Sequence, residues 1–97
     1  MMIPKSFKLH ARGAVWKVFN FNARIGVLGK TQPEIEYLYL ADRVHGKVIP
    51  TAQRADTFWH ELTHAILHDM GDPRWNDEKF VEAFSKRLSC AVRTAKL

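Results

Sequence analysis

The stretch Thr51-Ala52-Gln53-Arg54-Ala55-Asp56-Thr57-Phe58-Trp59-His60-Glu61-Leu62-Thr63-His64-Ala65-Ile66-Leu67-His68-Asp69-Met70 decides the reading of this chain. Pro50 precedes it, Thr51 is a reasonable N-cap, and Gly71 followed by Pro73 stops it, so a helix over about 51–70 is predicted. Ala55, Phe58, Trp59, Leu62, Ile66 and Met70 fall in one broad arc, which predicts a core face. His60 and His64 lie nearly opposite and only about 40° apart on the cylinder, so both can point at one ion. Glu61 sits beside them, where it can take a proton from a metal-activated water. The HExxH spacing therefore predicts a zinc site with hydrolytic chemistry.

Upstream the period is different. From about Lys5 to Leu40 the pattern is strand-like: Phe7 and Leu9 alternate with Lys8 and His10, and Ala11-Arg12-Gly13 reads as a turn. Ala14 to Phe21 is rich in Val, Trp and Phe, which suit a pleated surface. Ile25 to Leu28 is a short apolar piece between Asn and Gly punctuation, and Thr31-Gln32-Pro33-Glu34 reads as a turn. Ile35 to Leu40 follows as a strand, and 42–46 as loop. Short connections predict a small, mostly antiparallel sheet.

Downstream, a second helix is expected over about 76–93, capped by Asn76. Its predicted apolar stripe is Phe80, Val81, Phe84, Leu88, Ala91 and Val92. The whole reads as one α+β domain, residues 1–97: sheet about 5–40, active-site helix, C-terminal helix.

A catalytic zinc commonly takes three protein ligands, and HExxH supplies two. His68 is the only histidine after His64, about 80° around the helix and roughly 12 Å along it from His60, too far to share the ion. It is read instead as supporting a ligand or facing substrate, with a solvent-facing histidine as the plain alternative. Glu78, at the start of the second helix, is the preferred third ligand. Glu82, one turn on, would accept a hydrogen bond from a ligand histidine and fix its ring. The two glutamates could exchange roles. Tyr37, Tyr39, His45 and His68 are the candidate donors to an oxyanion.

Composition narrows the class. The chain has 97 residues, 46% hydrophobic and 26% charged, which fits a folded domain rather than a disordered one. No apolar run approaches the roughly 20 residues of a bilayer span, and no signal-peptide block opens the chain. The one cysteine, Cys90, excludes an intrachain disulfide, and a cytoplasmic setting is expected by default. The formal net charge is +5, but the basic residues are scattered from Lys5 to Lys96, so nucleic acid is a disfavoured partner.

His60-Glu61-Leu62-Thr63-His64-Ala65-Ile66-Leu67-His68 resembles the HELxHxxxH stretch of small bacterial and phage gluzincin peptidases, among them the ImmA/IrrE group. Glu78, Val81-Glu82, Phe84, Ser85 and Leu88 occupy the spacing of that group's downstream pattern. There Glu78 matches the third zinc ligand, while Glu82 stands where the group has asparagine. Ile3-Pro4-Lys5-Ser6-Phe7 and Thr57-Phe58-Trp59 are also similar to short phage-encoded HExxH proteins. The resemblance covers the second half well and the first half loosely. It implies a minimal zincin acting on a protein or peptide substrate, with an edge strand that pairs with extended peptide, a role Ile35 to Leu40 would fill. Metzincin and SprT-type patterns need a further downstream histidine and are disfavoured. The rival from another class is a zinc-stabilised protein-binding module with little turnover.

Overall fold

The computed structural model describes residues 2–24 and 26–96. It is an α+β fold: strands β1 (Ser6–Lys8), β2 (Val15–Ala23), β3 (Gly29–Gln32), β4 (Tyr37–Val44) and β5 (Lys47–Val48) precede helices α1 (Thr51–Asp69) and α2 (Glu78–Thr94), with a 3₁₀ turn, Pro73–Asn76, between the helices. The strand order is β1-β2-β4-β3, with β5 on β4. Three of the four pairings are antiparallel, as expected. The long central one, β2 with β4, is parallel. Chain direction explains it: β3 runs back against β2, the 33–36 turn reverses the chain again, and β4 then inserts between its two predecessors.

Several boundaries move from their expected places. Gly29 to Gln32 form a strand that lacks apolar alternation, so Thr31 and Gln32 belong to β3 and the turn is 33–36, where Glu36 takes a left-handed φ of 59°. Of the Ile25–Leu28 piece, Ile25 lies outside the described residues. The strand read as Ile35–Leu40 starts at Tyr37 and continues to Val44; a tight turn with His45 (φ 49°) and Gly46 (φ 81°) then leads into β5. Because β4 is flanked by β2 and β3, it cannot pair with an added peptide strand. The free edge beside the helices is that of β3, and this corrects the assignment of Ile35 to Leu40.

The sheet buries one face against α1. Trp16, Leu38, Leu40 and Phe58 are buried there, with Ile3, Phe7, Val18, Trp59 and Leu62 packed around them. Phe7 stacks on Trp16 (ring centroids 5.9 Å apart) and meets Phe58 edge-on at 6.2 Å, which ties the first hairpin to the helix. A smaller cluster, Ala23, Ala41 and Ile49 with Phe21, Leu28 and Val44, closes the end of the sheet where the chain turns into α1.

α1 starts at Thr51 with Pro50 as N-cap and no side-chain cap, so Thr51 is the first helical residue rather than the cap. It ends as expected: Gly71, at φ 69°, donates to the His68 carbonyl and Asp72 to that of Leu67. For α2 the cap is Asp77, not Asn76; its carboxylate accepts from the Phe80 amide at 3.0 Å. The face of α2 against α1 is also not the expected stripe. Val81, Ser85 and Ser89 are buried, whereas Phe84, Ala91 and Val92 are exposed. Small side chains let the helices approach closely, and the bulky apolar arc is rotated off the contact. Ile66 and Met70 of α1 are likewise exposed, replaced in the core by Ala65 and Leu67. No described helix is long and apolar enough to cross a membrane.

Two truncations separate the true core from the expected one. Leu38, fully buried, should cost about 2–5 kcal/mol as Leu38→Ala, measured by denaturant unfolding. Phe84→Ala should cost within about 1 kcal/mol, since Phe84 is 49% exposed. Equal losses would contradict this placement of α2.

Candidate metal centre

The site forms where α1 and the start of α2 face each other. Helical spacing puts the His60 and His64 rings 5.0 Å apart, centroid to centroid. The turn through Pro73–Asn76 brings Glu78 over both: its Oε2 lies 3.0 Å from His60 Nε2 and its Oε1 3.0 Å from His64 Nε2. One donor atom from each of His60, His64 and Glu78 lies within 4.8 Å of the others. The side chains proposed from spacing for the ligand set thus meet in one place.

Each imidazole is oriented from behind. His60 Nδ1 is 2.8 Å from Glu82 Oε2, and His64 Nδ1 is 2.5 Å from the Trp75 carbonyl oxygen. A carbonyl oxygen only accepts, so His64 donates its Nδ1–H to Trp75. The Glu82 carboxylate likewise calls the Nδ1–H of His60 toward itself. That leaves the two Nε2 lone pairs and a carboxylate aimed at each other, an electron-rich arrangement that fits a cation at its centre. The 3.0 Å spacings are close to the roughly 3.3 Å between neighbouring ligands at tetrahedral zinc bond lengths. The donor set, two imidazoles and one carboxylate, suits a divalent transition ion.

Glu82 faces the Nδ1 side of His60 rather than the Nε2 cluster. Burial works to raise its carboxyl, but the hydrogen bonds from Lys86 and His60 outweigh this and hold it below its ordinary value. Lys86 Nζ lies 3.2 Å from Glu82 Oε1.

Glu61 lies on the far side of the histidines, buried under β3. The Thr31 hydroxyl bridges the Glu61 carbonyl oxygen at 2.9 Å and its Oε1 at 2.7 Å. Gly29, two residues earlier on the same face, makes room: a Cβ there would stand 2.8 Å from Glu61 Cγ and 2.8 Å from Thr57 Cγ2. Burial raises the Glu61 carboxyl above its ordinary value, while the Thr31 hydrogen bond and then His64 and His60 pull it down without cancelling the rise. Neither Thr31 nor Gly29 was picked out by sequence reasoning, because they look like turn and punctuation. Trp75 acts through its backbone and leaves no signal in its side chain.

These groups line one cleft of about 660 Å³, with residues 26–31 on one wall and Glu78, Glu82 and Lys86 on the other. None of the four expected oxyanion donors reaches it. Tyr37 and Tyr39 project from the opposite face of the sheet, where both pack on Phe19. His45 is in the β4–β5 turn. His68 packs edge-on against the Trp75 ring at 4.9 Å, so it stands behind the carbonyl that orients His64 and does not face the cleft. Polar donors that do line the cleft include Lys30, Gln53, Asn76 and Lys86.

Gly29→Ala should displace Glu61 or the strand, with a stability loss of about 1–3 kcal/mol in thermal unfolding. A neutral substitution would contradict the close approach. In the turn that carries Trp75, hydrogen bonds from the Arg74 side chain and backbone lower the Asp72 carboxyl from 3.8 to about 2. Its folded value is depressed, so its stabilisation is present above 3.8 and fades as pH falls toward about 2. Asp72→Asn should accordingly be less stable than the parent at neutral pH, with the gap closing over that acid interval. A gap independent of pH would refute the role.

No protein-family model, no curated protein and no solved structure matches this chain.

Proposed function

We propose that the chain is a zinc-dependent peptidase, with His60, His64 and Glu78 as metal ligands and Glu61 as general base. The observation that carries this reading is the convergence of two Nε2 lone pairs and the Glu78 carboxylate, with both Nδ1 atoms engaged from behind. Zinc held there would polarise a substrate carbonyl and lower the pKa of a bound water toward about 7. The residues supply the rest. Glu61 accepts the proton as water attacks and returns it to the departing amine, with Thr31 holding its carboxylate in one orientation. Glu82 and the Trp75 carbonyl keep the imidazoles aimed and raise their basicity.

A peptide substrate is favoured by the wall of the cleft. β3 pairs with β4 on one side only, and its other edge borders the site. An extended chain laid along that edge would find unpaired backbone groups beside the reacting atoms.

Substitution and metal analysis test the reading together. The parent should carry one equivalent of zinc by elemental analysis and cleave an unfolded protein such as casein. His60→Ala and Glu78→Ala should lose the metal. Glu61→Gln should keep it and lose cleavage by at least about a hundredfold. Undiminished cleavage by Glu61→Gln would overturn the assignment. A zinc-loaded parent that binds peptide without cutting it would favour the metal-stabilised binding module instead. Removal of metal by a chelator should also lower the unfolding temperature, and restored zinc should recover about 2.7 kcal/mol at a hundredfold excess over Kd.

A further inference from the structure

The side of the sheet turned away from the helices collects side chains that are far apart in sequence. Strand alternation sends Trp16, Leu38 and Leu40 to the helices and their neighbours outward. On the outer face Phe19 lies 4.8 Å from Tyr37 and 5.6 Å from Tyr39, centroid to centroid, and Tyr37 is 6.2 Å from Tyr39. Phe19 is 38% exposed. Register places Lys17 beside Tyr37 and Lys30 beside Tyr39. Gly29 and Thr31 face Glu61, so Lys30 between them turns its side chain to the open face. Lys8, paired with Val15, adds a third cation on the same side. The strands contain a single acidic residue, Asp42, which stands at the bulge in the β2–β4 pairing, beyond the aromatic cluster. Neither helix packs over the aromatic cluster.

We infer that this face binds single-stranded nucleic acid, with bases stacked on Phe19, Tyr37 and Tyr39 and phosphates held by Lys8, Lys17 and Lys30. Charge complementarity selects a polyanion, and the rings select one with planar groups to stack. Unpaired bases offer their π-faces to aromatic side chains, whereas a duplex keeps them in its own stack. Lysines at the margins of a ring cluster supply the backbone contacts, which are indifferent to sequence. The aromatic cluster lies on the other face of the sheet from the metal centre; Lys30, on the edge strand, also borders the metal cleft.

The test is fluorescence anisotropy with a labelled oligothymidylate of about 15 nucleotides, using full-length protein at low salt. Binding should fall with log salt at a slope of roughly −2 for three phosphates contacted. Lys17→Glu with Lys30→Glu should weaken it at least about tenfold, and so should Tyr39→Leu, which keeps an apolar side chain but removes the ring. Tyr39→Phe should bind like the parent. Circular dichroism and thermal unfolding confirm that each variant folds. No detectable binding, unchanged affinity in the lysine double variant, or equal affinity for poly-glutamate would overturn the proposal. Equal affinity for poly-glutamate would instead mark the face as a dock for acidic protein.

Discussion

Glu78 pressed between the Nε2 atoms of His60 and His64 is the contact on which this architecture turns. Two imidazoles on one helix are common and say little about chemistry until a third donor arrives from another element. Here it arrives because α1 stops at Gly71, the Asp72-capped 3₁₀ turn reverses the chain, and Asp77 starts α2 at the mouth of the site. The turn does more than connect. Its Trp75 carbonyl accepts from His64, so the reversal that delivers the carboxylate also sets the ring it meets. Ser85 and Ser89 keep the contact close. Ser89 reaches the Asp56 carboxylate, and Arg93 approaches the same oxygen at 3.5 Å.

The opposite wall is built by a different economy. β3 is a short strand with no large apolar side chain, and its value lies in what it lacks. Without a Cβ at Gly29 the backbone can lie against Glu61 and Thr57, and with Thr31 next on that face a hydroxyl reaches the same carboxylate. A buried glutamate is costly unless hydrogen-bonded, and this strand provides the partner. The proposed base is therefore oriented by the sheet, while the proposed ligands are oriented by α2 and the turn before it. Helix α1 lies between the two supports and carries groups to both.

The sheet has two unlike faces for the same reason that α1 is so deeply packed. One face is spent on the helix, and neither of the described helices covers the aromatic cluster on the other, where only the end around Ala23, Ala41 and Ile49 is closed off. Its aromatic cluster is half-buried by its own members and ringed by lysines instead of by a second layer.

The α+β class, the limits of both helices to within two residues at either end and the HExxH face were legible in the chain, because a 3.6-residue period and a glycine stop are local properties of backbone geometry. Glu78 and Glu82 could be named from spacing, with Glu78 preferred as the ligand and an exchange of their roles left open. β3 was missed because it carries no apolar alternation, and the stripe on α2 was misplaced because periodicity gives a helix its apolar arc without saying which part of that arc meets a neighbour. Tyr37, Tyr39 and His45 could be proposed for the cleft only while the sheet's facing was unknown. What the sequence alone determined is what neighbours along the chain determine: helices, turns and two histidines on one face. Which carboxylate meets those histidines, which strand buries Glu61, and which lysines gather on one surface depend on contacts between residues tens of positions apart. Only the packed fold brings those residues within reach of each other.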